Sequence, residues 1–150
     1  MSSLATLIYT PRSIGLFANG VFTGIGLCMN YVCVPAIKAT KDPLPVFYQV
    51  YGKTSKIAKL SIVVSTVANA VCYYRTKDTR FIYSTALSFL SIPFTLIFMM
   101  PVNNQLFAME KDGVNYDRKQ VQQHVAKWNT LQYVRTLSGT AAFLINILYR

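Results

Sequence analysis

The sequence predicts an all-α integral membrane four-helix bundle, and three observations carry that expectation. The 150 residues are 53% hydrophobic and 13% charged, about half the charged share of a soluble domain, which leaves too little polar surface to cover a water-soluble core. The apolar residues come in blocks of membrane length, since a hydrocarbon layer about 30 Å thick takes about 20 helical residues. The blocks are continuously apolar, whereas strands of a membrane barrel alternate apolar and polar positions. One domain suits this length. The expected organisation is a single four-transmembrane-helix domain over residues 1–150, with helices at about 13–37, 57–74, 81–100 and 125–149.

The first block, Ser13 to Ile37, contains no charge and closes at Pro35. The second, Ile57 to Tyr74, carries Lys59 near its start, where a long stem lets the ammonium snorkel outward. The third, Phe81 to Met100, reads FIYSTALSFLSIPFTLIFMM and has no charge. Pro93 removes one helical donor there and predicts a kink. Pro101 stands at the expected exit, with Asn103 and Asn104 placed to cap freed backbone groups or to bond the fourth helix. That helix is harder to place. Thr136 to Tyr149 is too short alone and reaches membrane length only by extension back through Trp128, which brings Arg135 into the span.

Between the blocks, Asp42-Pro43-Leu44-Pro45 predicts a helix stop. The loop VFYQVYG follows, and its Phe47, Tyr48 and Tyr51 suit the headgroup zone. Glu110 to Lys127 reads as a second long loop, with Gly113 and Asn115 as turn residues and Asp112 and Asp117 as solvated charges. The positive-inside count leans towards the long loops being cytoplasmic. The opening MSSLATLIYTPRS lacks the charged start and bounded apolar run of a cleaved signal peptide. An acid-poor start keeps mitochondrial import open. The endoplasmic reticulum is the expected membrane, with the mitochondrial inner membrane as the alternative.

Fifteen Lys and Arg against five Asp and Glu give a formal charge of +10. The basic residues flank apolar blocks and no nucleic-acid fingerprint accompanies them, so the expected partner is the lipid bilayer and not nucleic acid. Cys28, Cys33 and Cys72 lie inside apolar blocks beside a single histidine, so no metal site and no cofactor are expected. Cys28 and Cys33, five apart, fall on different faces of an α-helix. No Gly-rich phosphate loop is present. Gly20-Val21-Phe22-Thr23-Gly24 fits the small-xxx-small pattern by which membrane helices approach closely.

Polar residues inside the blocks carry more information. Asn19, Asn30, Asn69 and Asn146 are costly in hydrocarbon, so they turn inward, either as interhelical glue or together as the lining of a polar pocket. On the fourth helix Trp128, Gln132, Arg135, Gly139 and Asn146 fall on one stripe, joined by His124 if that helix starts early. Arg135 either holds an anionic group within the membrane or snorkels to the interface.

At IPFTLIFMMPVNNQLF, Ile92 to Phe107, and WNTLQYVRTLSG, Trp128 to Gly139, the sequence resembles the fungal and bacterial anthrone oxygenase-like family. Pro35 also looks similar, and the resemblance covers most of the chain. It implies a small four-helix membrane protein, expected here from a fungal source. It also implies an activity that oxidises polyketide anthrones to anthraquinones with dioxygen and without metal or flavin. In the family the position four after the Trp is often His, a plausible base. Here it is Gln132, which takes no proton near neutral pH, and His124 is the candidate replacement.

The resemblance implies His124 and Arg135 as catalytic residues, with Asn103, Asn104, Trp128, Asn129 and Gln132 around the substrate. Two functions follow. The first is a non-catalytic subunit or accessory protein, associated with other membrane subunits, that kept the fold and lost the base. The alternative is a cofactor-free monooxygenase acting on a flat, apolar phenolic ligand of anthrone type.

Overall fold

The structure, a computed structural model, describes residues 10–111, 113 and 116–148. Asp112, Asn115, Tyr149, Arg150 and the opening segment 1–9 lie outside the described residues. Four helices run α1 Pro11–Ala39, α2 Pro43–Thr76, α3 Arg80–Lys111 and α4 Arg118–Leu148, and among the described residues there is no strand. Short connections make consecutive helices antiparallel. α1 packs on α2 and α4, and α3 packs on the same two, so the helices follow one another around the bundle. By length and composition α1, α2 and α3 can each cross a membrane.

Each later helix is longer than its apolar block, for reasons visible at the ends. α2 starts at Pro43 and not at Ile57, so VFYQVYG is helical and not a loop. Pro43 and Pro45 fall in the first turn, whose N–H groups have no intrahelical acceptor to lose. Lys53, Lys56 and Lys59 then project outward, interrupting the apolar run without interrupting the helix. α2 stops at Lys77, which takes the left-handed conformation (φ 57°) and donates its N–H to the Tyr73 carbonyl. α4 starts at Arg118, so the second predicted loop shrinks to the segment between Lys111 and Arg118.

α1 passes Pro35 and α3 passes Pro101 by one device, whereas Pro93 lies within ordinary α-helix. A π-helical turn, Met29–Cys33, precedes Pro35, and another, Thr95–Met99, precedes Pro101. Inside an α-helix the proline ring clashes with the carbonyl four residues back. Here that carbonyl belongs to Tyr31 or Ile97, inside a turn widened to i→i+5 bonds (Val34 N–H to Met29 O, Met100 N–H to Thr95 O). Pro101 is therefore no exit, and α3 continues to Lys111. The π-turn also brings Cys28 Sγ to 3.7 Å from Cys33 Sγ, so these thiols share a face, contrary to the α-helical expectation.

The bundle interior changes character along its axis. At the end holding the α2–α3 connection, three asparagines converge on one hydroxyl. Asn146, Asn69 and Asn19 place Nδ2 at 2.8, 3.1 and 3.4 Å from Ser84 Oγ, while Ser84 donates to the Ala142 carbonyl and Ser88 to Asn19 Oδ1. All four helices meet in this knot, so these three asparagines are interhelical glue. At the other end Leu44, Phe47, Met99, Val102, Leu106, Val121, Val125 and Trp128 form an apolar core, as in a soluble protein. The charged flanks of α2, α3 and α4 surround that end, and it forms a head beyond the apolar blocks.

Close approach of α1 and α4 uses Gly26 and Gly139. A Cβ on Gly26 would lie 2.6 Å from Thr136 Oγ1, and one on Gly139 would lie 2.5 Å from the buried Phe22 ring. Gly24, part of the recognised small-residue pattern, faces open space. Gly139→Ala is therefore expected to destabilise by about 1–3 kcal/mol through overpacking. Gly24→Ala should hold or gain up to about 1 kcal/mol through helix propensity. Thermal melting of both variants in the same detergent checks the contrast.

Candidate functional site

Between knot and head, α2 and α3 wall a cavity of about 290 Å³. α2 supplies Tyr51, Ser55, Lys59, Ile62 and Val63, and α3 supplies Ser91, Ile92, Thr95 and Leu96. Arg135 of α4 also lines it. Tyr51, Ser55 and Arg135 also line a crevice of about 20 Å³ that extends to Trp128, Gln132, Gly26 and Met29. That crevice has room for one water-sized molecule.

Arg135 is central to this arrangement. It lies roughly 25 Å along α4 from Arg118, at about 1.5 Å per residue, and is 9% exposed. The early start of α4 places it deep in the bundle, so it does not snorkel to a helix end. Its Nη1 donates to Gln132 Oε1 at 3.0 Å and approaches Met99 Sδ at 3.7 Å, and its guanidinium carbon lies 5.6 Å from the centre of the Phe22 ring. Among the described residues no carboxylate lines either cavity, and Arg135 Nε is buried without a hydrogen-bond partner.

Tyr51 faces the same space. Asn103 Nδ2 donates to its hydroxyl at 3.0 Å, which sets the ring's position and leaves the phenolic hydrogen outside that bond. The ring stacks on Phe47, and both rings meet Trp128 edge to face, with centroids 5.3 and 6.1 Å away. Trp128 Nε1 and Asn103 Oδ1 are also buried without partners. Trp128 Nε1, on the crevice that Arg135 also lines, is a donor suited to a ligand oxygen.

The residues expected from sequence divide clearly. Trp128, Gln132 and Arg135 come together at the crevice, with Gly139 and Asn146 buried on the same stripe. Asn103 reaches the site through Tyr51. Asn129 stands behind it, since its Oδ1 accepts from Asn30 Nδ2 at 2.8 Å and Asn30 Oδ1 accepts from Thr136 at 2.6 Å. Asn30 thus clamps α1 to α4 and sits apart from the Ser84 knot. The four asparagines do not line one pocket. Asn104 is exposed, one residue round the helix from Asn103. His124 is half-buried on α4 and lines neither cavity. Tyr51, Ser55 and Lys59 were not anticipated as site residues. For Tyr51 and Ser55 the signal is the helical spacing Leu44, Phe47, Tyr51, Ser55, Ala58, Ile62, Ser65, Asn69, Cys72, which runs through the supposed loop; Lys59 lies off it.

Comparison with known proteins agrees with the resemblance. The sequence profile of the anthrone oxygenase family matches residues 47–145. The curated anthrone oxygenase dmxR16 of Cryptosporiopsis sp. (strain 8999) is 48% identical over 46 residues, 31% of this chain and 27% of that protein. No solved structure matches the chain.

The geometry separates a residue kept for stability from one that opposes it. A buried guanidinium without a carboxylate bears an uncompensated desolvation cost, so Arg135→Met should leave the melting temperature unchanged or raise it. Asn30→Ala removes three interhelical bonds of about 0.6 kcal/mol each, and melting should fall by a few degrees. Both are read by thermal unfolding in detergent.

Proposed function

The chain belongs to the anthrone oxygenase family, and from that premise we propose that it is a membrane oxygenase for a flat, apolar phenolic substrate of anthrone type. The observation that carries this reading is Arg135, a guanidinium without a carboxylate partner lining a largely apolar cavity. At about 290 Å³ the cavity stands at the low end of small-molecule sites, a size suited to a few fused rings.

The reaction balances with dioxygen alone: a ring methylene plus O₂ gives a ring carbonyl plus water. An anthrone tautomerises to a phenol, and ionisation of that hydroxyl gives an electron-rich anion. In this reading Arg135 and the Tyr51 hydroxyl hold the anionic oxygen, and preorganised donors in a water-poor site favour that form strongly. The anion passes one electron to dioxygen, and the two radicals combine at the ring carbon as a peroxide anion. This takes up one proton from water, matching the one released to water on ionisation, to give a hydroperoxide. Loss of water then leaves the carbonyl. The crevice beside Trp128 and Gln132 is the proposed seat of the dioxygen. Because the bound anion is stabilised by Arg135, Gln132 need not act as a base, and His124 is assigned no contact with substrate.

A second reading, a non-catalytic accessory protein of a membrane complex, is favoured by one observation. Gln132 stands where the resemblance implies His, and its amide oxygen is occupied by Arg135. Stoichiometric membrane subunits co-purifying with a chain inactive on anthrones would support it.

Dioxygen uptake by the lipid-reconstituted protein supplied with a hydroxyanthrone tests the first reading. Arg135→Met and Tyr51→Phe should each lower kcat/KM by about 100-fold, the typical cost of one oxyanion donor, while His124→Ala should stay near the unmodified chain. Loss of turnover in His124→Ala alone would return the base to the imidazole. Absence of uptake above the uncatalysed rate would remove the oxygenase reading.

A further inference from the structure

We infer that the cavity opens sideways into the bilayer between α2 and α3, and that hydroxylated aromatic ligands reach Arg135 from the lipid through that mouth. The inference rests on the proposed oxygenase site and adds its route and the form in which ligand arrives.

Three observations place the mouth. The cavity is walled by α2 and α3, and its rim residues Val63 and Leu96 are 54% and 61% exposed. A rim that faces outward is an opening and not a seam. The depth of the mouth follows independently from the two helices. If the hydrocarbon layer spans the apolar blocks, about 20 residues each, its head-side boundary falls near Ile57 on α2 and near Met100 on α3. Val63 is then roughly 9 Å below that boundary and Leu96 roughly 6 Å below it, at about 1.5 Å per residue. Two antiparallel helices thus set their rim residues at a similar depth, within the acyl-chain zone. The third observation is charge. Lys59 is an exposed cavity-lining ammonium about one turn above Val63, where a long stem reaches the headgroups. Arg135 lies on the inner side, and among the described residues no acidic one lines the space between.

This arrangement commits the mouth to one occupant, a lipid-dissolved polycyclic aromatic with ionisable hydroxyls. An acyl chain fits the apolar rim but leaves the Arg135 Nε without an acceptor. A water-soluble anion satisfies Arg135 but must cross the apolar rim. A flat hydroxyaromatic does both, since it partitions into lipid as the neutral phenol and presents oxygen once inside. Lys59 at the mouth favours the ionised form on arrival.

Trp128, the single tryptophan, lines the crevice that continues from the cavity and reports occupancy. The experiment rapidly mixes 1,8-dihydroxyanthraquinone with the full chain in phosphatidylcholine nanodiscs and follows Trp128 fluorescence. Narrowing the rim with Val63→Phe plus Leu96→Phe should slow quenching about tenfold or more, because passage then needs the helices to part, with the final extent retained. Widening it with Leu96→Ala should accelerate quenching, an opposite effect that a general folding defect does not produce.

Quenching at the unmodified rate in all three chains overturns the lateral route while leaving the site intact. Failure of the quinone to quench the unmodified chain, together with no dioxygen uptake, removes the site and the mouth together. Quenching by acyl-brominated phosphatidylcholine that the quinone does not relieve shows an acyl chain in the mouth and overturns the assignment.

Discussion

A chain whose outer face is apolar gains nothing from burying more apolar surface in lipid, so its helices must be held together by something else. Here that is the convergence of Asn19, Asn69 and Asn146 on the Ser84 hydroxyl. A hydroxyl oxygen has two lone pairs, and the two shortest contacts, from Asn146 and Asn69, fit them best. Glycine supports the knot by a different means, since Gly26 and Gly139 let α1 and α4 approach to distances that any Cβ would prevent. Polar bonding and close backbone approach are the usual means by which helices associate in membranes. This chain uses both in its membrane half and replaces them with an ordinary apolar core in the head.

The site occupies the interval between these two kinds of packing. The knot gathers all four helices at one end, and the Phe47–Trp128–Leu106 core gathers them at the other. Between them Ala58 and Ile62 of α2 pack with Phe22 and Ile92 in a small apolar cluster, and the cavity lies beside it, lined from Ser55 to Val63 on α2 and from Ser91 to Leu96 on α3. The π-turns contribute to this. The widened turn before Pro101 relieves the clash of its ring with the preceding turn, and α3 continues to bring Asn103 beside Tyr51. The same device before Pro35 carries α1 up to Val34 and Ile37, both part of the head core.

Arg135 gives this interval its chemistry. Its surroundings satisfy it in part, through an amide oxygen, a thioether and an aromatic face, all neutral. A guanidinium kept permanently charged among neutral groups is a poor stabiliser of a fold and a strong attractor of an anion. Trp128 Nε1, an unpartnered donor on the crevice that Arg135 also lines, points to the same conclusion from the side of hydrogen bonding. An oxygen-bearing aromatic answers both requirements at once.

The sequence by itself determined the class of fold, the inward turn of the asparagines and the stripe on α4 from Trp128 to Asn146. Each follows from composition, or from residues close together on one helix, where an angular period of 3.6 residues suffices. It did not disclose that Lys53, Lys56 and Lys59 ride on the outer face of a continuous α2, because a run of apolar composition ends at a lysine whichever way that lysine points. Tyr51 therefore reads as a loop residue from sequence, and its bond from Asn103 is not visible there. Nor did it separate Asn103 from Asn104, or Gly26 from Gly24, since identical residue types one or two positions apart differ only in which neighbour they meet. The mouth between α2 and α3, the meeting of Tyr51 with Arg135 across the bundle, and the pairing of Cys28 with Cys33 through a π-turn were decided by tertiary structure alone. They depend on the relative rotation of helices, or on a local change of helical period, and neither is written in the spacing of residues along one strand of chain.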